Sequence, residues 1–399
     1  MRRLWRGKGE CQRGYTYESV CEFATLWATS LVRAGFTQPT SRPESEQALV
    51  DTPVRTSTHD VVRRLPALMV WLALAFVALW VLFLAEGSSA GPAVSDPGTF
   101  VVTLLNALTF AGLLFVVASG FTLIFGLMRT VNMAHGSLFL LAGFTAIALQ
   151  QSMVGKTANI APEDVSILSW IVPLLVAAAL AAVLGVILHQ VFLRWNQGQE
   201  LRQALITIAI SVILADQMLR QFGGLAKTMV WPGAVSHYME LFGERYPTSR
   251  LFMLAVAVVV GVVLWLWLTR TRMGMVIRAG VDDEGMVRAL GINATLVFAV
   301  TFFVGAFLAG AGGVMGASFA GAATGSDGAW LLNSLVVVII GGMGSIKGAV
   351  AGSLLYGTVV AFSPAYLPSQ YTFYSVIFSF VLLALVLAVR PYGLFGRPA

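Results

Sequence analysis

The chain has 399 residues, of which 57% are hydrophobic and only 11% charged, and its mean hydropathy is +0.81. A soluble globular chain carries about 25% charged residues, so a water-solvated fold is excluded and an all-α polytopic membrane protein is expected. The net charge of +6 does not signal nucleic-acid binding, because basic residues in membrane proteins collect in cytoplasmic loops.

Residues 1–62 are polar, with scattered charges and no sustained periodicity. They read as a disordered extension with a short helix at about 17–33, or as sequence upstream of the true start. Cys11 and Cys21 lie here and read as free thiols, since their spacing fits neither a metal site nor a disulfide framework. The first apolar block, 66–85, follows Arg63 and Arg64 and precedes the small residues from Gly87 to Gly91. That order also describes a signal peptide, but about 20 apolar residues is nearer a full span. A retained signal-anchor helix is expected, with a cleaved signal as the alternative.

Further spans are expected at 100–128, 134–151, 169–192, 203–222, 250–268, 293–317, 331–343, 349–363 and 371–389, giving about ten helices (range 8–10). The two short ones flank Gly341 to Gly348, GGMGSIKG. Short, glycine-interrupted apolar segments are typical of broken helices or tight hairpins in transporters. With the N-terminus inside, the inner loops hold Arg63, Arg64, Arg129, Arg194, Arg202, Arg270, Arg272, Arg278, Arg288, Lys347, Arg390 and Arg397. The outer loops hold Lys156, Lys227, Arg245 and Arg250. This 12-to-4 asymmetry predicts a multi-pass inner-membrane protein with both termini cytoplasmic. Glu86, Asp96, Glu163, Asp164 and Asp327 then fall outside.

Several segments carry candidate chemistry. In the inner loop 269–292, Asp282, Asp283 and Glu284 sit where carboxylates favour a helix N-terminus, and Gly291 suits a helix C-cap. A short amphipathic helix at 281–290 is expected, either docking a cytoplasmic partner or forming a solvated turn. In 126–137, GLMRTVNMAHGS, the residues Arg129, Asn132 and His135 interrupt apolar sequence. Polar groups at membrane depth face a cavity or a neighbouring helix, so Asn132 and His135 are candidates for a helix break or the translocation path. Arg129 fits a tight turn at the water interface, and a lone histidine is weak evidence for metal. Asp216 and Arg220 have the favourable i,i+4 order and read as an interfacial ion pair or a polar patch at a pathway mouth. The run from Gly305 to Gly316 reads as a close helix-packing face, and neither it nor GGMGSIKG has the context of a phosphate loop. The sequence contains no HExxH, and no GxSxG elbow in a strand–turn–helix context, so nothing points to an enzyme.

The ordered strings LLNALTFAG (104–112), GLMRTVNMAHG (126–136), LITIAISVIL (205–214), RAGVDDEGMVRALGI (278–292), VIIGGMGSIKGAVAG (338–352) and RPYGLFGR (390–397) resemble the LivH-like permease subunits of branched-chain amino acid ABC importers. The resemblance covers about 100–397, so 63–98 reads as an extra span with an outer loop and 99–399 as the permease domain. It implies a transporter that binds no cofactor itself. A second, LivM-like permease, two cytoplasmic ATPase subunits that use the ATP, and an extracytoplasmic substrate-binding protein are the implied partners. Glu284, Ala289 and Gly291 match the family's ATPase-coupling positions. Related permeases carry urea or short amides, so the substrate stays open within small polar solutes. The alternative from another class is a secondary transporter. That mechanism needs membrane-buried carboxylates, and Asp216 is the one acid inside an expected span.

Overall fold

The computed structural model describes residues 75–128, 132–156, 159–196, 198–282 and 284–396. The N-terminal extension, both cysteines, Arg129, Asp283 and the first half of the 66–85 block lie outside the described residues. What is described of that block, α1 (Ala75–Leu84), ends in a π turn at Trp80–Leu84. Its outer face is exposed at Phe76 and Phe83. Its other side packs with Phe100, Phe362 and Tyr366.

Among the described residues, eight helices are long and apolar enough to cross a membrane. They are α2 (Pro97–Met128), α3 (Ala134–Val154), α4 (Leu168–Leu188), α5 (Glu200–Phe222), α6 (Thr248–Arg270), α9 (Ala294–Phe319), α11 (Ile346–Tyr366) and α12 (Ser375–Val389), the last reaching spanning length with the 3-10 turn Ser369–Tyr374 that leads into it. Helix α4 continues through a π turn and a 3-10 turn to Asn196. The connecting helices α7 (Arg272–Asp282) and α8 (Glu284–Ala289) follow α6, and α10 (Asp327–Gly341) has only 15 residues. With α1 and α10 the described residues contain about ten apolar helices, as the all-α polytopic reading expected. The one sheet among them is a hairpin of β1 (Tyr238–Leu241) and β2 (Glu244–Pro247) before α6.

Most of these helices are apolar all round. That is the pattern of a helix covered by protein or lipid, whereas an amphipathic stripe marks one lying on a soluble core. Packing then depends on close backbone approach. Helix α9 is central and lies against α2, α3 and α4. A methyl at Gly313 would strike the Phe139 carbonyl, one at Gly312 the Val117 side chain, and one at Gly120 the Gly305 carbonyl. The Gly305–Gly316 run is a packing face, as its spacing suggests.

The loops gather at two ends. At one, Lys227 pairs with Ala322, Gly233 bonds Val165, and Ser88 pairs with Pro368. At the other, Val281 and Gly344 meet Gly126, and Gly342 meets Gly396. This second, basic end carries Arg194, Arg202, Arg270, Arg272, Arg278, Lys347 and Arg390. The RPYGLFG segment closes it: Leu394 and Phe395 donate backbone N–H groups to the carbonyls of Ile340 and Gly341, which would otherwise be orphaned at the end of α10.

Two expected spans need correction. The segment placed at 349–363 begins at Ile346, because the Ser345 hydroxyl accepts the Gly348 N–H at 3.1 Å and caps the helix. The segment placed at 331–343 begins at Asp327 and is too short to cross.

Candidate functional site

Helix α3 starts inside the bundle. His135 Nε2 lies 3.2 Å from the Val117 carbonyl, and Val117 is eleven residues before the end of α2 at Met128. At 1.5 Å per residue that is about 16 Å inward from the helix end, half the thickness of a hydrocarbon layer of about 30 Å. A helix beginning there exposes backbone N–H groups where no water can satisfy them. Asn132 meets this need: its Oδ1 accepts the Ala134 N–H at 3.1 Å, and its carbonyl accepts the His135 N–H at 3.2 Å. The Met133 N–H goes to Thr207 Oγ1 on α5 at 3.2 Å. The Asn132 Nδ2 is buried without a partner among the described residues.

His135 is fully buried and meets Phe121 edge to face at 5.3 Å. A carbonyl can only accept, so Nε2 carries the proton and Nδ1, which has no partner, is bare. The imidazole thus ties the start of α3 to the middle of α2. Within this chain it is closed off from solvent, beside the helix break.

Helix α10 starts at the same depth from the opposite direction. Asp327, its first residue, accepts a hydrogen bond on Oδ2 from Ser137 at 2.8 Å, and Ser211 lies 2.8 Å from Ser137 and 3.5 Å from that carboxylate oxygen. Ser211 is eleven residues into α5, again about 16 Å from the helix end. Asp327 therefore sits beside Ser137 and Ser211 at the start of a short helix inside the bundle, and not in an outer loop as the sequence suggested. The chain re-enters from the Ala322 end before α10 begins, which a hydropathy pattern does not reveal. Two helix N-termini meet here, and Gly136 permits it: a methyl there would strike the Asp327 carbonyl and come within 2.9 Å of Leu331 Cβ. Both helix dipoles favour an anion at this junction. Asp327 is half-buried, and the space beside Gly328 is open.

At the basic end, α7 and α8 replace the single helix expected at 281–290. Asp282 ends the first helix and Glu284 opens the second. Ile277 and Val287 are buried, Val281 packs against the bundle, and Gly280 meets Leu127. Gly291 has φ +75°, and the Ile292 N–H bonds back to the Val287 carbonyl at 3.3 Å. That six-to-one bond and left-handed glycine make a Schellman turn. Ala289 and Gly291 are exposed, and Leu290 between them is 71% exposed. Sequence reasoning passed over Leu290, although an apolar residue in a charged loop was the available signal.

Asp216 and Arg220 form an exposed ion pair, Nε to Oδ2 at 2.9 Å, on the face of α5 that this chain leaves uncovered.

A family model described as "Branched-chain amino acid transport system / permease component" matches residues 103–387. The high-affinity branched-chain amino acid transport system permease protein LivH of Escherichia coli (strain K12) is 28% identical over 310 residues, 75% of this chain and 96% of its own. The corresponding permease protein BraD of Pseudomonas aeruginosa is 29% identical over 313 residues, with the same coverage. The solved structure of PsaBC from Streptococcus pneumoniae in complex with Fab covers 72% of this chain and 90% of its own at 12% identity, with a TM-score of 0.38.

Proposed function

Because the chain belongs to the permease-component family of branched-chain amino acid transport systems, we propose that it forms half of the translocation path of an ATP-driven importer in the cell inner membrane. Its substrates are branched-chain amino acids or similar small polar solutes, with urea or short amides as the alternative within the family. A second, LivM-like permease supplies the other half. Two cytoplasmic ATPase subunits hydrolyse the ATP, and an extracytoplasmic binding protein delivers the solute. The basic end faces the cytoplasm with both termini, following the distribution of arginine and lysine.

The observation that carries this reading is the α7–α8 segment. It buries one face on the basic ends of α2 and α9 and leaves Met275 and Leu290 exposed, at 49% and 71%. A short rigid element seated in an ATPase groove transmits closure of the ATPases to the spans. Ala289 and Gly291 form the small-residue seat, Leu290 supplies apolar contact area, and Glu284 belongs to the same edge. Asn132 and His135 hold the half-helix junction, and Asp327 lies on the path beside it.

A second reading has one observation in its favour. Asp327 is a carboxylate at membrane depth, the group a proton- or ion-coupled secondary transporter requires. Co-expression with the candidate ATPases separates the two readings. An importer subunit retains both ATPases through purification in mild detergent, and Gly291→Trp releases them while the spans stay inserted. Loss of neither ATPase in that variant contradicts the docking role.

A further inference from the structure

A cavity of about 480 Å³ opens at the end of the bundle opposite the basic loops, between α2, α6, α9 and α11. That volume lies in the range of small-molecule sites, which are mostly apolar with a few placed polar groups. Its walls fit the description. Phe110, Phe319 and Val360 are apolar, while Thr103, Asn106 and Arg250 supply the polar atoms.

Arg250 is the only charged residue in the lining. It stands in the first turn of α6, and its carbonyl lies 3.5 Å from Thr109 Oγ1 on α2. Its Nη1 donates to Asn106 Oδ1, and its guanidinium lies over the Phe319 ring, 5.7 Å from the centroid. Among the described residues no carboxylate lies within ion-pair distance of it. An arginine that faces an open cavity with no acidic partner is available to an anion. A planar guanidinium held by an amide and a ring keeps its remaining N–H groups in a fixed fork, and that fork matches a carboxylate.

Below the cavity the rings close ranks. Phe110 lies 6.0 Å from Phe319 and 6.4 Å from Trp330, and Trp330 lies 4.8 Å from Phe139. Trp330 is three residues beyond Asp327, and Phe139 two beyond Ser137. The cavity therefore has an aromatic floor that separates it from the half-helix junction.

We propose that this cavity is the first station for an aliphatic carboxylate, the Arg250 guanidinium holding the carboxylate while Phe110, Phe319 and Val360 cover the hydrocarbon chain. The inference rests on the import reading and specifies how the solute is recognised at the outer mouth. The lining has no anionic group for an ammonium, so recognition depends on the carboxylate and leaves the amine to water.

The test uses Ala361→Cys, a lining position, in the full chain with Cys11 and Cys21 changed to Ser, assembled with its partner subunits in phosphatidylcholine nanodiscs. Maleimide labelling is followed with and without 4-methylpentanoate, which has the leucine skeleton without the amine. Labelling is expected to slow at least about fivefold at saturation, while 3-methylbutylamine gives no protection. Arg250→Gln should abolish protection. Arg250→Lys, which keeps the charge without the fork, should retain part of it and so shows that loss in the Gln variant is not misfolding. Equal protection by the amine, or protection unchanged in Arg250→Gln, overturns the proposal. Labelling already suppressed in phosphatidylglycerol nanodiscs without added carboxylate also overturns it, because the guanidinium would then serve an anionic lipid. ATP-driven leucine uptake by the same complex is scored separately. Uptake without protection removes this inference alone, and protection without ATP-driven uptake removes the import reading.

Discussion

The contact between the two half-helices makes a quantitative prediction at Gly136. A methyl group there would overlap the Asp327 carbonyl and press Leu331 Cβ at 2.9 Å. Neither neighbour is the free end of a flexible side chain, so α3 and α10 must separate. Overpacking of this kind costs about 1–3 kcal/mol. Glycine to alanine in a helix also returns about 1 kcal/mol of propensity, and that offset obscures a single measurement. Gly328 provides the matched control. It too lies in the first turn of a helix, and a methyl there meets nothing within 4 Å. The difference between Gly136→Ala and Gly328→Ala isolates the overlap, and should be about 1–3 kcal/mol against the Gly136 variant. The readout is the thermal midpoint of the purified protein in detergent, followed by tryptophan fluorescence. Gly136→Ala should melt a few °C below Gly328→Ala, which should match or exceed the parent. Equal midpoints for the two variants would refute the close crossing of α3 and α10.

Three further perturbations test other parts. His135→Leu removes the tie between α3 and the Val117 carbonyl, and should lower assembled protein or transport; normal uptake would show that the imidazole is dispensable at the break. Gly291→Val forces a β-branched residue to φ +75°, at a cost of order 1–3 kcal/mol. It should raise protease sensitivity within 284–292 without changing membrane insertion, and unchanged sensitivity would argue against the Schellman turn. In the loop after α3, the Lys156 hydrogen bond, joined by the Ala161 N–H, holds the Asp164 carboxyl below its ordinary value. A depressed carboxylate stabilises its loop above the unfolded-state pKa and loses that contribution as the pH falls through the folded value. The hydrogen-exchange protection of 159–165, taken relative to the intrinsic rate at each pH, should therefore fall on acidification below the ordinary aspartate range and stay flat above it, and Lys156→Met should remove the acid-dependent step.

The sequence made the long spans legible because each is a continuous apolar block, and it made the α9 packing face legible because glycines recur at three- and four-residue spacing. Gly291 was legible as a helix stop for the same local reason. The depth of Asp327 was not. A hydropathy block locates apolar residues but not the height at which a half-helix begins, and only the Ser137–Asp327 contact fixes that. The sequence hint was the short 331–343 block with Ser-Asp-Gly ahead of it. Helix α7 was missed because the acidic cluster at 282–284 was taken as a helix start, although Met273, Val276, Ile277 and Gly280 already show the i, i+3, i+4, i+7 face. Arg250 looked like one of four outer-loop cations. Its importance comes from Asn106 and Phe319, which lie 144 residues before it and 69 after it in the chain.

The central claim is that transport is driven by ATP through partner subunits and not by an ion gradient acting on Asp327. The most direct measurement is leucine uptake into proteoliposomes holding this chain, its permease partner, both ATPases and the binding protein. Uptake should require ATP and the binding protein, persist when proton and sodium gradients are collapsed, and survive at least in part in Asp327→Asn. Gradient-driven uptake by the permease without ATPases, abolished by Asp327→Asn, would contradict the account and establish the secondary-transport reading in its place.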